Sequence, residues 1–321
     1  MFNLKFIYER FFMNIRNFCD SDWQSLLALY NQIMQHDQID ELFFVQHLLL
    51  NPNITPENIF ILEDDAAIVG WTVGMTIQKA LDCWSVLPEK NRNTGFIMPP
   101  VAFELGTALQ LIAAAEKFLA AQGCTRIRCG LPGYTLWPNG IDKSVYPLLH
   151  EAFELSGYTV AGYSHSMERS LENYSMPLEY QQRIAELAKD GIVIKTADVF
   201  DLLPLRKMLE HSAQQWMHLI CRKAEQNKLH EMIVVRKDDE ILGCCQYNYF
   251  GMVDRIGPFR VADNMKGRGI GTLMIARLLE IMAQKNIKHA WFASCVKDLV
   301  YFYGKNGLQV FRKKSILVKE L

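Results

Sequence analysis

The chain has 321 residues, half of them hydrophobic, which is comfortable for two domains of about 150 residues each. Its 34 basic and 35 acidic residues nearly cancel, so no basic excess points to a nucleic-acid partner. No apolar run reaches the roughly 18 residues a membrane span needs, so no membrane partner is expected. The eight cysteines are scattered without a Cys-x-x-Cys pair and read as reduced thiols of a cytoplasmic protein.

Residues 1–13 carry charges inside a short apolar stretch and lack a small-residue cleavage site, so a signal peptide is not expected. Ile15-Arg16 reads as a first strand, followed by a helix from about Asp22. Residues 59–62 and 67–77 form a hairpin about Asp64-Asp65. A strand over 96–103, a helix over 105–121 and a strand over 125–129 follow. Residues 146–155 are helical up to Gly157-Tyr158, and 163–169 are strand-like. A linker helix over 173–190 carries Ser175 as a candidate cap and Pro177 in an early position. Its apolar stripe is Tyr180, Ile184, Leu187 and Ala188, and Gly191 can end it.

The same order then recurs at a period near 165 residues. Residues 192–194 are a strand, and 199–226 are helical in two segments. Strands over 232–235 and 242–249 flank a turn at Asp238-Asp239. Adjacent Cys244 and Cys245 must then point to opposite faces. A strand over 255–261 enters a glycine-rich turn. A helix over 273–285 follows, with Met274, Leu278, Ile281 and Met282 on its apolar side and Leu273, Ala276, Arg277 and Glu280 on a mixed face. A buried strand over 289–295 comes next, and the chain ends in two more strand-like runs. This order predicts two domains, 13–172 and 191–321, joined by the helix over 173–190.

The turn reads Lys266-Gly267-Arg268-Gly269-Ile270-Gly271-Thr272. Glycines at every second position let several backbone N–H groups converge, and the following helix adds its unpaired N–H groups and positive dipole end. Such a socket suits phosphate. It is not a P-loop, because no Lys-Ser or Lys-Thr follows the glycines. It is not a dinucleotide fingerprint, because Thr272 or Met274 stands where the third glycine belongs. Downstream, after a helix and a strand, comes Tyr303-Gly304-Lys305-Asn306-Gly307-Leu308.

These two motifs, in this order, resemble those of the GNAT superfamily of acyl-CoA-dependent N-acetyltransferases. The loop matches [Q/R]-x-x-G-x-[G/A] except for Lys266, and residues 303–308 match Y-x-K-x-G-F with Leu308 for Phe. The strong resemblance covers about residues 191–321. It implies an α/β (α+β) fold of two tandem GNAT-like domains, each a mixed, mainly antiparallel sheet flanked by helices. In the first half V-A-F-E-L-G stands in place of the glycine loop. Only Gly106 survives there, and Glu104 would set a negative charge beside a phosphate, so that copy reads as degenerate.

The resemblance implies acetyl transfer from acetyl-CoA, as co-substrate, to a primary amine of a small molecule or peptide, without a metal. The N–H groups of Arg268 through Thr272 would hold the pyrophosphate, and the Arg268 side chain would either steady the loop or reach phosphate. Phe259 to Asp263, including Val261 and Ala262, would pair with the pantetheine arm, and an N–H near Val261 would polarise the thioester carbonyl. Lys266, Gly267, Gly269, Ile270, Gly271 and Lys305 complete the expected cofactor contacts. Tyr303 would be the general acid for the departing thiolate. Asp254 is the first candidate for the base, with Glu231 and His289 as others.

Two positions depart from the pattern. Val296 stands seven residues before Tyr303, where many relatives have Asn, and Asp263 replaces a frequent Pro. His211 and His218 lack a third ligand, so metal catalysis is not expected. The competing reading is an acyl-CoA-binding sensor or interaction module without turnover. The acceptor surface would draw on Gln214, Gln215, Trp216, His218 and Arg222, and Trp137-Pro138-Asn139-Gly140 forms a tight loop that could border a cleft. A monomer or a homodimer is expected.

Overall fold

The computed structural model describes residues 14–79, 93–130, 140–210, 213 and 216–321. Its elements are, in chain order, β1 (Asn14–Asn17), α1 (Trp23–Ile33), α2 (Glu41–Phe44), β2 (Ile59–Asp64), β3 (Ala67–Thr76), β4 (Thr94–Ile97), β5 (Val101–Ala102), α3 (Leu105–Ala121), β6 (Arg126–Cys129), α4 (Pro147–Leu155) and β7 (Thr159–Ser170). They continue with α5 (Leu178–Lys189), β8 (Ile192–Thr196), α6 (Leu202–Glu210), α7 (Met217–Glu225), β9 (Met232–Lys237), β10 (Glu240–Gln246), β11 (Phe259–Val261), α8 (Ile270–Gln284), β12 (His289–Cys295), α9 (Lys297–Gly304) and β13 (Gln309–Glu320). The chain divides into two compact units. Of the described residues, those up to Ser164 together with Lys313–Leu321 form the first, and His165–Arg312 form the second.

In the first unit the strands follow the order β1-β2-β3-β4-β6-β13, with β5 beside β3. The β4–β6 pair is parallel, and the β1–β2, β2–β3, β3–β4 and β6–β13 pairs are antiparallel. The alanine-rich sequence of α3 favours helix. It buries Ala108, Leu111, Ile112, Ala115 and Leu119 against the sheet at helical spacing. Gly70 on β3 permits that approach, because a Cβ there would come within 2.7 Å of Thr107 and 2.9 Å of the Val101 carbonyl. Trp71 is fully buried beside it, and its indole N–H donates to the Leu26 carbonyl.

The second unit holds an antiparallel sheet, β11-β10-β9-β8, and β12 paired antiparallel with His165–Ser170 of β7. Strand alternation separates two apolar clusters. Ile233, Val235 and Cys245 pack with Leu273, Met274, Ile275 and Leu278 of α8, whereas Met232, Val234 and Cys244 pack with Leu205 and Leu209 of α6 and Ile220 of α7. Cys244 and Cys245 thus occupy opposite faces, as their adjacency predicts.

Several elements differ from the sequence reading. The strand expected over 255–261 is a ladder only at Phe259–Val261, because Pro258 has no N–H to donate. Pro177, not Ser175, is the residue at the start of α5, and Gly191 ends that helix with φ +77°. Leu273 and Ala276 of α8 are buried along with the predicted apolar side, so its mixed face narrows to Arg277 and Glu280. The last two strand-like runs are one continuous strand, β13, because residues 309–320 contain no turn-forming Gly, Pro, Asn or Asp. Residues 313–321, grouped with the second half in the sequence reading, pair within the first unit, where Val318, Lys319 and Glu320 face Arg128, Ile127 and Arg126.

Candidate acyl-transfer site

Beyond β11 the chain makes one 3-10 turn at Asp263–Met265 and then the glycine loop into α8. Gly267 and Gly269 have φ of +78° and +79°, a left-handed conformation that side chains rarely adopt. A Cβ at either would meet nothing within 4 Å, so backbone conformation, not crowding, demands glycine there. Gly271 has the opposite reason, since its Cβ would lie 3.0 Å from Phe302 and 3.1 Å from Phe259.

The first intrahelical bond of α8 runs from the Leu273 N–H to the Gly269 carbonyl, 3.2 Å. The N–H groups of Ile270, Gly271 and Thr272 precede it and carry the positive end of the helix dipole. Lys266 and Arg268 flank the loop and are exposed. Lys266 pairs with Asp263 at 2.6 Å, and Arg260 lies 3.3 Å from the same carboxylate. The Lys266 ammonium holds the Asp263 carboxyl below its ordinary pKa.

β11 is the end strand of its sheet. The Ala262 N–H bonds to the Leu242 carbonyl at 2.9 Å, and Val261 pairs with Gly243 in register. Antiparallel alternation then turns the N–H groups of Val261 and Phe259 away from β10, toward the unpaired edge. Before β11, the Asp254 carbonyl and the Ile256 N–H bond to the Trp291 N–H and carbonyl at 3.1 and 2.8 Å, a parallel bridge between Arg255 and Trp291. No ladder among the described residues continues this pairing from β11 to β12.

Tyr303 of α9 is buried. Its ring packs 4.5 Å from Phe292, 4.9 Å from Phe302 and 6.0 Å from Phe259, centre to centre. This cluster brings α9, β12 and β11 together. Burial, reinforced by the Cys295 and Cys245 thiols, raises the Tyr303 phenol above its ordinary pKa. Tyr301, two residues earlier and so on the opposite side of α9, is exposed, and the Lys305 ammonium lies 5.0 Å over its ring. Val296 is exposed at the start of α9.

The three candidate bases have different surroundings. Glu231 is buried and committed: Lys223 donates to it, as does the Asn248 amide at 2.9 Å. Lys223 also donates to the carbonyls of Tyr247 and Asn248. Asp254 and His289 share one partly exposed cluster. The Trp291 indole N–H donates to Asp254 at 3.0 Å, and the His289 ring nitrogens lie 3.4 Å from Asp254 and 3.1 Å from Glu168. Arg255 is held among the rings of Tyr249, Trp291 and Phe250 at 5.0, 5.1 and 5.6 Å.

Glu168 escapes sequence reasoning because it comes from β7, 121 residues before His289. The aromatic partners of Tyr303 escape it because ring contacts across three elements leave no local spacing. Of the expected acceptor-side residues, Trp216 packs against the α6–α7 cluster. His211, Gln214, Gln215 and Trp137 to Asn139 lie outside the described residues. Among the described residues, no group of three or more His, Cys, Asp or Glu is placed to hold a metal ion, and no helix is long and apolar enough to cross a membrane.

In the first unit the corresponding turn is only Phe103-Glu104, with Glu104 extended at φ −113° and Gly106 inside α3. The left-handed glycine pair of the second unit has no counterpart there.

Residues 198–308 match the model of the acetyltransferase (GNAT) family. This segment holds both the glycine loop and Tyr303. Residues 198–308 thus form a GNAT-family segment, and the chain as a whole has the fold of a tandem GNAT protein. Solved structures similar over 96% of the chain include the GCN5-related glucosamine N-acetyltransferase region of a fungal multi-domain GH3 β-N-acetylglucosaminidase, with TM-score 0.76 and 17% identity. The match spans 38% of that fungal protein. A GCN5-related N-acetyltransferase from Sphaerobacter thermophilus gives TM-score 0.65 at 12% identity over 95% of its length. A tandem GNAT protein from the clavulanic acid biosynthesis pathway gives 0.62 at 11% over 98%. No curated protein matches the sequence.

Proposed function

We propose that the second unit moves an acetyl group from acetyl-CoA to a primary amine of a small molecule or peptide by direct attack. The observation that carries this reading is the left-handed pair Gly267 and Gly269 opening α8 next to the unpaired edge of β11. These residues fit the ligand: helix N–H groups without an intrahelical partner suit a pyrophosphate, and a strand edge suits the amides of a pantetheine arm. Acetyl-CoA supplies the activated thioester.

The N–H groups of Arg268 to Thr272 hold the phosphates, with Lys266 and Lys305 as nearby cations. Phe259, Val261, Ala262 and Asp263 line the pantetheine side. The Val261 N–H faces the carbonyl oxygen as its charge develops, a role worth about 3–4 kcal/mol where such donors have been removed. Asp254 takes a proton from the attacking amine, and Tyr303 protonates the leaving thiolate. The first unit, with its short turn at Phe103-Glu104, does not bind acetyl-CoA in this manner. The seven described cysteines are free thiols, which fits a cytoplasmic setting.

Calorimetry with acetyl-CoA tests the loop, comparing wild type with Gly269→Val. Valine is strained at φ +79° and sets two methyl groups beside the N–H groups. Binding at one site per chain, lost in the variant, is expected; normal affinity in the variant would sink the assignment. CoA release is then followed with glucosamine, spermidine, an aminoglycoside and a peptide with a free N-terminus. Glucosamine goes first because the fungal relative is described as a glucosamine N-acetyltransferase. Binding without release for any of the four would favour a non-catalytic acyl-CoA sensor.

A further inference from the structure

The imidazole of His289 has a carboxylate on each side. Its Nδ1 is 3.4 Å from Asp254 Oδ2, and its Nε2 is 3.1 Å from Glu168 Oε2. A neutral imidazole has one N–H and one bare lone pair, so it satisfies only one of two ionised carboxylates. The other nitrogen would face an oxygen lone pair to lone pair. A proton arriving on Asp254 would relieve that contact, because its O–H could then donate to the bare ring nitrogen. The three side chains therefore form a continuous hydrogen-bonding path from Asp254 to Glu168.

The surroundings reinforce this. Asp254 Oδ1 is fixed by the Trp291 indole N–H at 3.0 Å, which leaves Oδ2 for the ring. Glu168 stands opposite Trp291 in the β7–β12 ladder, and Ser170 stands opposite His289. The ion pairs of the ring among the described residues are with these two carboxylates. All three groups are between 36% and 40% exposed, so the far end of the chain reaches water.

We propose that His289 and Glu168 form a proton relay that returns Asp254 to its basic form by passing the amine's proton out to solvent. The proposal rests on the reading of Asp254 as the base. As the amine N–H bond breaks, an O–H bond forms on Asp254. That proton moves to His289 Nδ1 while the Nε2 proton moves to Glu168, and Glu168 releases it to water. The ring then returns to its first tautomer by rotation or by exchange with solvent, and no electron transfer is involved. His289 and Glu168 are positioning residues that act through Asp254, not groups in contact with the amine.

The test uses the full chain and CoA release, with whichever of the four amines above gives the highest rate. His289→Gln keeps hydrogen-bonding capacity but cannot carry a proton. It is expected to lower kcat about tenfold or more, below the 10²–10⁴-fold of a directly acting group. KM for acetyl-CoA should be unchanged, and added imidazole should restore the rate. Glu168→Gln should move the acid limb of the kcat profile, and it serves if the histidine variant does not fold. Wild-type kcat and an unshifted profile in both variants would overturn the relay while leaving Asp254 as base, provided Asp254→Asn still abolishes turnover. Wild-type turnover in Asp254→Asn would overturn the base reading and the relay together. Loss of rate that imidazole does not restore, with an unshifted profile, would reduce His289 to packing.

Discussion

Burial holds the Tyr303 phenol above its ordinary pKa of about 10. A proton donor with a raised pKa stays protonated through neutral and mildly alkaline pH, so titration of Tyr303 should not limit turnover below about pH 10. Its ring contacts with Phe292, Phe302 and Phe259 do not involve the hydroxyl. Tyr303→Phe therefore removes the proton and keeps the packing. Turnover is expected to fall by roughly 10²–10⁴-fold with little change in melting temperature, and the pH profile should keep its shape at a lower level. Equal turnover in the variant would make Tyr303 a packing residue. The glycines of the loop repay the same residue-by-residue reading. Gly267 and Gly269 are fixed by backbone conformation and Gly271 by two phenyl rings, so Gly271→Ala should disturb packing while leaving the loop's dihedrals accessible.

At the scale of elements, what the sequence revealed was what local physics dictates. The helix over 105–121 and the strand over 289–295 were legible to the residue, because periodicity and bounding residues mark them. The opposite facing of Cys244 and Cys245 followed from strand geometry alone. What stayed hidden depended on distant chain: Glu168 against His289, and the single strand that ends the molecule. Asp201 belongs with the hidden features. It lies in a 3-10 turn before α6, is fully buried, and accepts from Lys195 at 2.7 Å and Arg236 at 3.0 Å. These bonds tie β8 and β9 to the entry of α6. Asp201→Asn leaves two cations without their shared charge. The expected cost is about 2–3 kcal/mol, below that of breaking a fully enclosed pair because both cations keep contact with water. Asp239→Asn is the comparison, since Asp239 is fully exposed and also pairs with Arg236. Urea denaturation should show a lower midpoint for the first variant and an unchanged one for the second.

Across the whole molecule, the described residues of the second unit are one stretch, His165–Arg312, whereas the first unit is assembled from distant stretches of chain. His165–Ser170, near the middle of the sequence, supply the strand that pairs with β12 in the second unit, and Lys313–Leu321 supply the strand that pairs with β6 in the first. The last nine residues are well anchored there. Leu317 is fully buried, Lys319 bonds to both oxygens of Glu116 at 2.8 and 2.9 Å, and the Leu321 N–H reaches the Thr125 carbonyl at 2.9 Å. Ser315 and Ile141 exchange two backbone bonds. Burying Leu317 alone is worth about 1.5–3 kcal/mol. Ending the chain at Arg312 should thus open the first unit although every residue of the glycine loop and Tyr303 is retained. Hydrogen exchange is the direct measurement: amides of β6 and β4 should lose protection, while those of α8 and β9 keep it. Retained protection in β6 would show that the terminal strand is dispensable. The same connectivity sets where the second unit can be cut out. A fragment starting at residue 191 lacks the strand that pairs with β12 and removes Glu168, whereas one starting at His165 retains both. The longer fragment should therefore bind acetyl-CoA with the affinity of the full chain, and the shorter one should aggregate or bind weakly.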